Sequence, residues 1–203
     1  MMNTLSPAAG AKGGKEARAW LSLGGNMGGA EAHFNYALAQ LAAGGCRIIA
    51  ASSLYITPAW GRENQPDFSN ICLEIATRLP PALLLALCLE IEKQSGRQRR
   101  QKWGPRSLDI DIIVYENYRS PPGAEDLILP HPYCAERAFV MLPLAEICPR
   151  LEINGKTAAQ WAAELMAAGA AKGIIRQKPA ALWAKAAFTT EAKTAEEAAP
   201  PQR

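Results

Sequence analysis

Twice along this chain of 203 residues a stretch of helical spacing is enclosed by stretches of period two, and that alternation restricts the fold more than any other feature. "ARAWLSLGG" sets Ala19, Leu21 and Leu23 against Trp20 and Ser22, the pattern of a strand, and glycines stop it. "AEAHFNYALAQLAAGG" then places Phe34, Leu38 and Leu41 on one helical face and ends at Gly44. "CRIIAASSLYIT" and "FSNICLEIAT" read as two more strands, joined by a Pro- and Gly-bearing loop over residues 58 to 67 that is too long for a tight hairpin turn. Pro81 opens a second helix in which Leu84, Leu87, Cys88 and Ile91 repeat at helical spacing, and Gly96 closes it. "SLDIDIIVYE" is the fourth strand. The order β, α, β, β, α, β predicts an α+β fold, a ferredoxin-like sandwich with an antiparallel sheet and both helices on one face. A further strand or hairpin is expected near residues 115 to 130, and "TAAQWAAELMAAGAA" predicts a last, Ala-rich helix anchored by Trp161 and Leu165.

These elements divide the chain into a tail over 1–16, a main domain over 17–155 and an Ala-rich, helical and partly disordered extension over 156–203. With 49% of its residues hydrophobic the chain has a core to bury. No apolar run approaches the roughly 18 residues of a membrane span, and the N-terminal stretch lacks the apolar centre of an export signal. Five scattered cysteines, never as CxxC, suggest neither a disulfide framework nor a zinc site, so a reducing, cytoplasmic setting is expected. The formal net charge of +3 is too small to argue for nucleic acid by itself.

The charge is unevenly placed. Asp109 and Asp111, two apart in a strand, stand on one face about 6.5 Å apart, while Leu108, Ile110, Ile112 and Val114 point into the core. Carboxylates that close repel each other, and relief comes from proton sharing, solvation or bound cations. Oxygen ligands at this separation suit two magnesium ions, although a solvated outer face is the plainer reading of the pair alone. Immediately upstream, "RQRRQKWGPR" carries five basic side chains and no acidic one. It could neutralise the aspartates, bind RNA, or hold a polyphosphate whose metals the aspartates bind. Trp103 in this polar loop reads either as a cover over a flat ligand or as surface packing. "LGGNMGG" is neither GxGxxG nor GxxxxGK[ST] and reads only as a tight strand-to-helix turn.

Taken in order, "LSLGGNMGG", "SSLYITPAWGRENQPDFSN", "IEKQSGRQRRQKWGPRSLDIDI" and "LPHPYCAERAFVMLPLAEICP" resemble the 6-hydroxymethyl-7,8-dihydropterin pyrophosphokinases of folate biosynthesis, over about residues 18 to 153. The resemblance implies transfer of a diphosphoryl group from ATP, as co-substrate, to the pterin hydroxymethyl oxygen, with release of AMP. It implies that Asp109 and Asp111 bind two Mg²⁺ ions, with Asp111 a possible proton acceptor, and that Arg97 and Arg106 are catalytic. Glu92, Arg99, Lys102, Trp103, Ile112, His131 and Arg137 fall at ATP-binding positions. Thr57, Pro58, Trp60, Phe68, Asn70 and Phe139 fall at pterin-binding ones, Phe68 and Phe139 as a stacking pair. The implied partners are these two small molecules, with other folate-pathway enzymes possible, and neither nucleic acid nor membrane. Leu89 stands where some members have a nucleotide-contacting Gln, and Phe68 where some have Tyr.

Three other readings compete, one of them an enzyme-derived protein that binds ligand without turnover, which nothing in the sequence favours. An RNA-binding ferredoxin-like module would need exposed aromatics on its central strands, which "RAWLSLG" and "DIDIIVYE" do not supply. A metal-dependent nuclease or nucleotidyltransferase would have no use for a pterin slot in "QPDFSN".

Overall fold

In the computed structural model, which describes residues 15–58, 66–96 and 106–184, the first alternating stretch is strand β1 (Ala17–Gly25), followed by helix α1 (Ala30–Ala43). The next stretch is broken in two, β2 (Arg47–Ala51) and β3 (Leu54–Thr57), where one strand was expected. Buried Ser52 marks the break: its hydroxyl donates to Ser53 O (2.8 Å) and takes the Cys72 amide (2.9 Å) in place of a backbone acceptor, while Ser52 N still donates to Cys72 O (2.9 Å). β4 (Phe68–Thr77) and α2 (Pro81–Gln94) follow, then β5 (Asp109–Tyr115). Residues 116–130 form turns and one isolated bridge, Tyr115 to Tyr118, and not the strand expected there. The chain continues through α3 (Ala138–Ile147), the two-residue strands β6 (Glu152–Ile153) and β7 (Lys156–Thr157), α4 (Ala158–Ala167), β8 (Ile175–Lys178) and α5 (Ala180–Trp183).

The main sheet runs β5-β1-β4-β3-β8, with β2 also paired to β4, and every pairing is antiparallel. Its βαββαβ part is ferredoxin-like, as the sequence predicts. One face buries Leu21, Leu23, Ile71, Leu73 and Ile110 under α1 and α2, which contribute Phe34, Leu38, Leu41, Leu84, Cys88 and Ile91. The opposite face is covered as well: Trp20, Cys72 and Ile113 meet Val140, Met141 and Leu144 of α3 and Ala158 and Ala162 of α4. This second layer went unread because Pro143 lies inside α3 and disguises it as loop. β4 is accordingly buried without a break from Asn70 to Thr77, polar residues included. Val114 also departs from expectation. A bulge opposite Trp20 and Leu21 turns Ile113 and Val114 into the second core and returns Tyr115 to the first.

The boundary drawn after residue 155 does not fall at a seam. β7 pairs with β6, Thr157 and Gln160 form a capping box on α4, and Trp161 and Leu165 pack against the second core. β8 extends the sheet beside β3, and Trp183, 2% exposed, lies edge-on to Phe34 (6.1 Å between ring centroids) and donates to Ser52 O (3.1 Å). Among the described residues no helix is long and apolar enough to cross a membrane.

Candidate active site

β5 is an edge strand, and its alternation puts Asp109, Asp111 and Ile113 on the α3 side of the sheet. At Ile113 that face is closed by α3; at the aspartates it opens, leaving their side chains 22% and 37% exposed. Asp109 pairs with the guanidinium of Arg106, and Asp111 Oδ2 lies 3.6 Å from Arg137 Nη1. The Asp111 carboxyl is raised above its ordinary value, first by burial and then by the charge of Asp109; His131, Arg137 and Arg106 oppose the rise. His131 is held over β5 by its own amide, which donates to Ile113 O (2.9 Å). Burial lowers its pKa and Arg137 acts in the same direction, while Asp111 and Asp109 pull it up. Nδ1 accepts from Tyr133 N (3.2 Å), which leaves the proton on Nε2 as a donor.

Beneath the strand, on the α2 side, buried Glu92 accepts the Ile110 amide (2.7 Å), the peptide between the two aspartates. The described role of Glu92 is thus to position β5. Ile110 N points away from β1, and Ile112, two residues on, presents its backbone to the same open edge, where a planar ligand could take hydrogen bonds. The Ile112 side chain is in the first core.

Two glycines bring the other half of the site up to this strand. Neither Gly24 nor Gly25 has positive φ; what they supply is room. A Cβ on Gly25 would lie 2.4 Å from Ser107 O, and one on Gly24 would lie 2.9 Å from Asn70 Oδ1. Sequence analysis gave these residues only a turn. Asn26, which it did not single out, fastens the arrangement: its Oδ1 accepts from Arg106 N (2.9 Å), its backbone N donates to Arg106 O (2.9 Å), and its Nδ2 donates to Pro66 O (3.3 Å). The signal was present as an amide placed directly after a strand-ending Gly-Gly.

On β4, Asn70 is 4% exposed and donates from Nδ2 to Thr57 Oγ1 (2.9 Å), and Phe68, opposite Thr57, shares its face. Pro58 follows Thr57 at the surface. Phe139, in the first turn of α3, is packed on the second core with the Arg137 guanidinium 5.9 Å from its ring centre. Arg137 lies equally near Tyr133 (5.8 Å), an exposed aromatic beside His131 that sequence analysis missed. The structure therefore brings Asp109, Asp111, Arg106, His131 and Arg137 together on β5 and the approach to α3, and joins Thr57 to Asn70 on the same sheet. Trp60, Arg97, Arg99, Lys102 and Trp103 lie outside the described residues. Leu89, on α2, is 39% exposed.

Among the described residues, no group of three or more His, Cys, Asp or Glu side chains could hold a metal ion. A two-carboxylate site in which the charge of Asp109 makes that of Asp111 more costly fits a hard divalent cation that completes its shell with phosphate and water, as magnesium does.

The chain is 45% identical to the 2-amino-4-hydroxy-6-hydroxymethyldihydropteridine pyrophosphokinase of Methylorubrum extorquens over 153 residues, 75% of this chain and 96% of that one. It is 40% identical to the protein of the same name from Bacillus subtilis over 141 residues, 69% of this chain and 83% of that one. Among solved structures, wild-type Plasmodium falciparum HPPK-DHPS with pterin and p-hydroxybenzoate superposes with a TM-score of 0.64 at 16% identity. The match covers 82% of this chain and 47% of that longer one, and it bears on the fold alone. A family model, "7,8-dihydro-6-hydroxymethylpterin-pyrophosphokinase (HPPK)", matches residues 20–149, and the chain belongs to that family.

Proposed function

We propose that this protein transfers diphosphate from ATP to the hydroxymethyl oxygen of 6-hydroxymethyl-7,8-dihydropterin, giving the pterin diphosphate and AMP in folate biosynthesis. The observation that carries the reading is the convergence of the aspartate pair, two arginines and a histidine beside the Thr57–Asn70 pair, within a chain of this family. Asp109 and Asp111 would hold two Mg²⁺ ions, which when bound supply charge neutralisation to the triphosphate and lower the pKa of a bound hydroxyl. The remaining chemistry belongs to the chain. Arg106 and Arg137 flank the carboxylates, where their planar donors can fork onto phosphate oxygens and stabilise charge as it moves from the attacked β-phosphorus to departing AMP. Arg97 joins them as a catalytic arginine on the resemblance, with Arg99, Lys102 and Trp103 toward ATP. His131, donating from Nε2, binds phosphate.

The pterin takes the other half. Its flat ring stacks between Phe68 and Phe139, and its amide edge is read by Asn70 with backbone groups of Thr57, Pro58 and Trp60. The Thr57 hydroxyl holds the Asn70 amide in a fixed orientation, so an edge that fails to match leaves buried polar atoms unpaired, at about 1–3 kcal/mol each. The reaction is placed in the cytoplasm, where ATP and reduced pterin are available.

The test is product mass with wild type and with Asp109→Asn and Asp111→Asn at saturating Mg²⁺. Wild type is expected to yield pterin diphosphate and both variants none. Unimpaired product formation by both variants would remove the metal assignment.

A further inference from the structure

Past residue 149, where the family match ends, the chain returns to the sheet beside the pterin half of the site. β8 pairs with β3, Ile175 opposite Ile56 and Arg176 opposite Tyr55, and β3 ends at Thr57, whose hydroxyl orients Asn70. Just before β8, Gly173 (φ +80) approaches Pro58 so closely that a Cβ built on it would lie 2.8 Å from Pro58 Cγ and 3.5 Å from Cδ. A proline ring cannot swing aside as a long side chain would, so any added bulk must move the backbone at Pro58.

The segment is not free to yield instead. Arg176 donates from Nη2 to Glu146 Oε1 (2.8 Å) and from Nε to Ser53 Oγ (2.9 Å), and Glu146 Oε2 accepts the Tyr55 hydroxyl (2.9 Å). This network ties β8 to α3 and β3 together. Lys178 reaches Glu31 of α1 (2.5 Å), and Trp183 closes the segment in the first core.

We infer that residues 173–183 are a positioning element for pterin binding: by pairing with β3 and packing on Pro58, they set where Thr57 and Pro58 stand relative to Asn70. The inference rests on the pterin reading above and assigns these residues no contact with either substrate.

Two glycines make the test. Gly169 (φ +76) and Gly173 (φ +80) carry the same left-handed penalty when substituted, but a Cβ at Gly169 meets nothing within 4 Å. Gly173→Ala should raise the pterin KM about fivefold or more, and Gly169→Ala should leave it within about twofold of wild type, with the ATP KM within about twofold in both. Arg176→Gln, which loosens β8 without adding bulk, should raise the pterin KM in the same selective way and keeps the test open if Gly173→Ala does not fold. Equal pterin KM values in the two alanine variants, or parallel losses for pterin and ATP, overturn the inference. Wild type assayed alongside separates the failures: an inactive wild type sinks the functional reading, whereas an active wild type with indistinguishable variants sinks only this one.

Discussion

Asp111 is a charge held where the ligand-free fold would sooner have none. Burial and Asp109 raise its carboxyl above the usual value, so the stability it contributes is full below that value and is lost as pH rises through the raised one. Asp111→Asn removes the loss. In Mg²⁺-free buffer the variant should melt no lower than wild type at neutral pH, and its advantage should grow as pH climbs through the carboxylate range; a lower melting temperature at neutral pH would contradict this. The side chain keeps 37% of its surface, so solvent limits the gain. Arg106 is the complementary case, a cation set against the carboxylates by backbone bonds to Asn26. Arg106→Ala should lower kcat by about 10²-fold or more, with a much smaller change in pterin affinity. Comparable losses in steady-state turnover and in direct pterin binding would make it a binding residue instead.

At the level of elements, what positions the aspartate pair is a hydrogen bond to the strand itself. Glu92→Ala should leave the buried Ile110 amide without its carboxylate and cost about 1–3 kcal/mol in urea unfolding, and Glu92→Gln, which keeps an acceptor, should recover most of it. Equal destabilisation by both would show that charge and not the acceptor matters. The βαββαβ order was legible because most of its elements keep one period and end near Gly or Pro; β5, with its bulge at Ile113, does neither throughout. The same reasoning missed α3, since Pro143 interrupts a helix whose apolar residues are nearly continuous, and merged β2 with β3, since Ser52 looks like an ordinary strand residue until its buried hydroxyl takes the Cys72 amide. That the two aspartates share a face could be read from their spacing alone. The Thr57–Asn70 bond, the tether through Asn26 and the room left by Gly24 and Gly25 could not, because each joins residues far apart in the chain through contacts that no local pattern records.

For the molecule as a whole, the sheet is buried on both faces, and the C-terminal segment belongs to its architecture. Trp183 joins α1, the sheet and the Ser52 break in one contact set. Trp183→Ala should therefore cost about 3–5 kcal/mol and lower the melting temperature markedly, an effect that a loosely attached extension could not have. The candidate site lies on the α3 side of the sheet, with Asp109, Asp111, Arg106 and Arg137 at the β5 end and the Thr57–Asn70 bond on β3 and β4. The decisive measurement is the nucleotide released when purified protein is given ATP, Mg²⁺ and 6-hydroxymethyl-7,8-dihydropterin, with a control lacking pterin. Diphosphoryl transfer predicts pterin-dependent AMP in equal amount to pterin diphosphate; ADP in place of AMP, or AMP that does not depend on pterin, would contradict it.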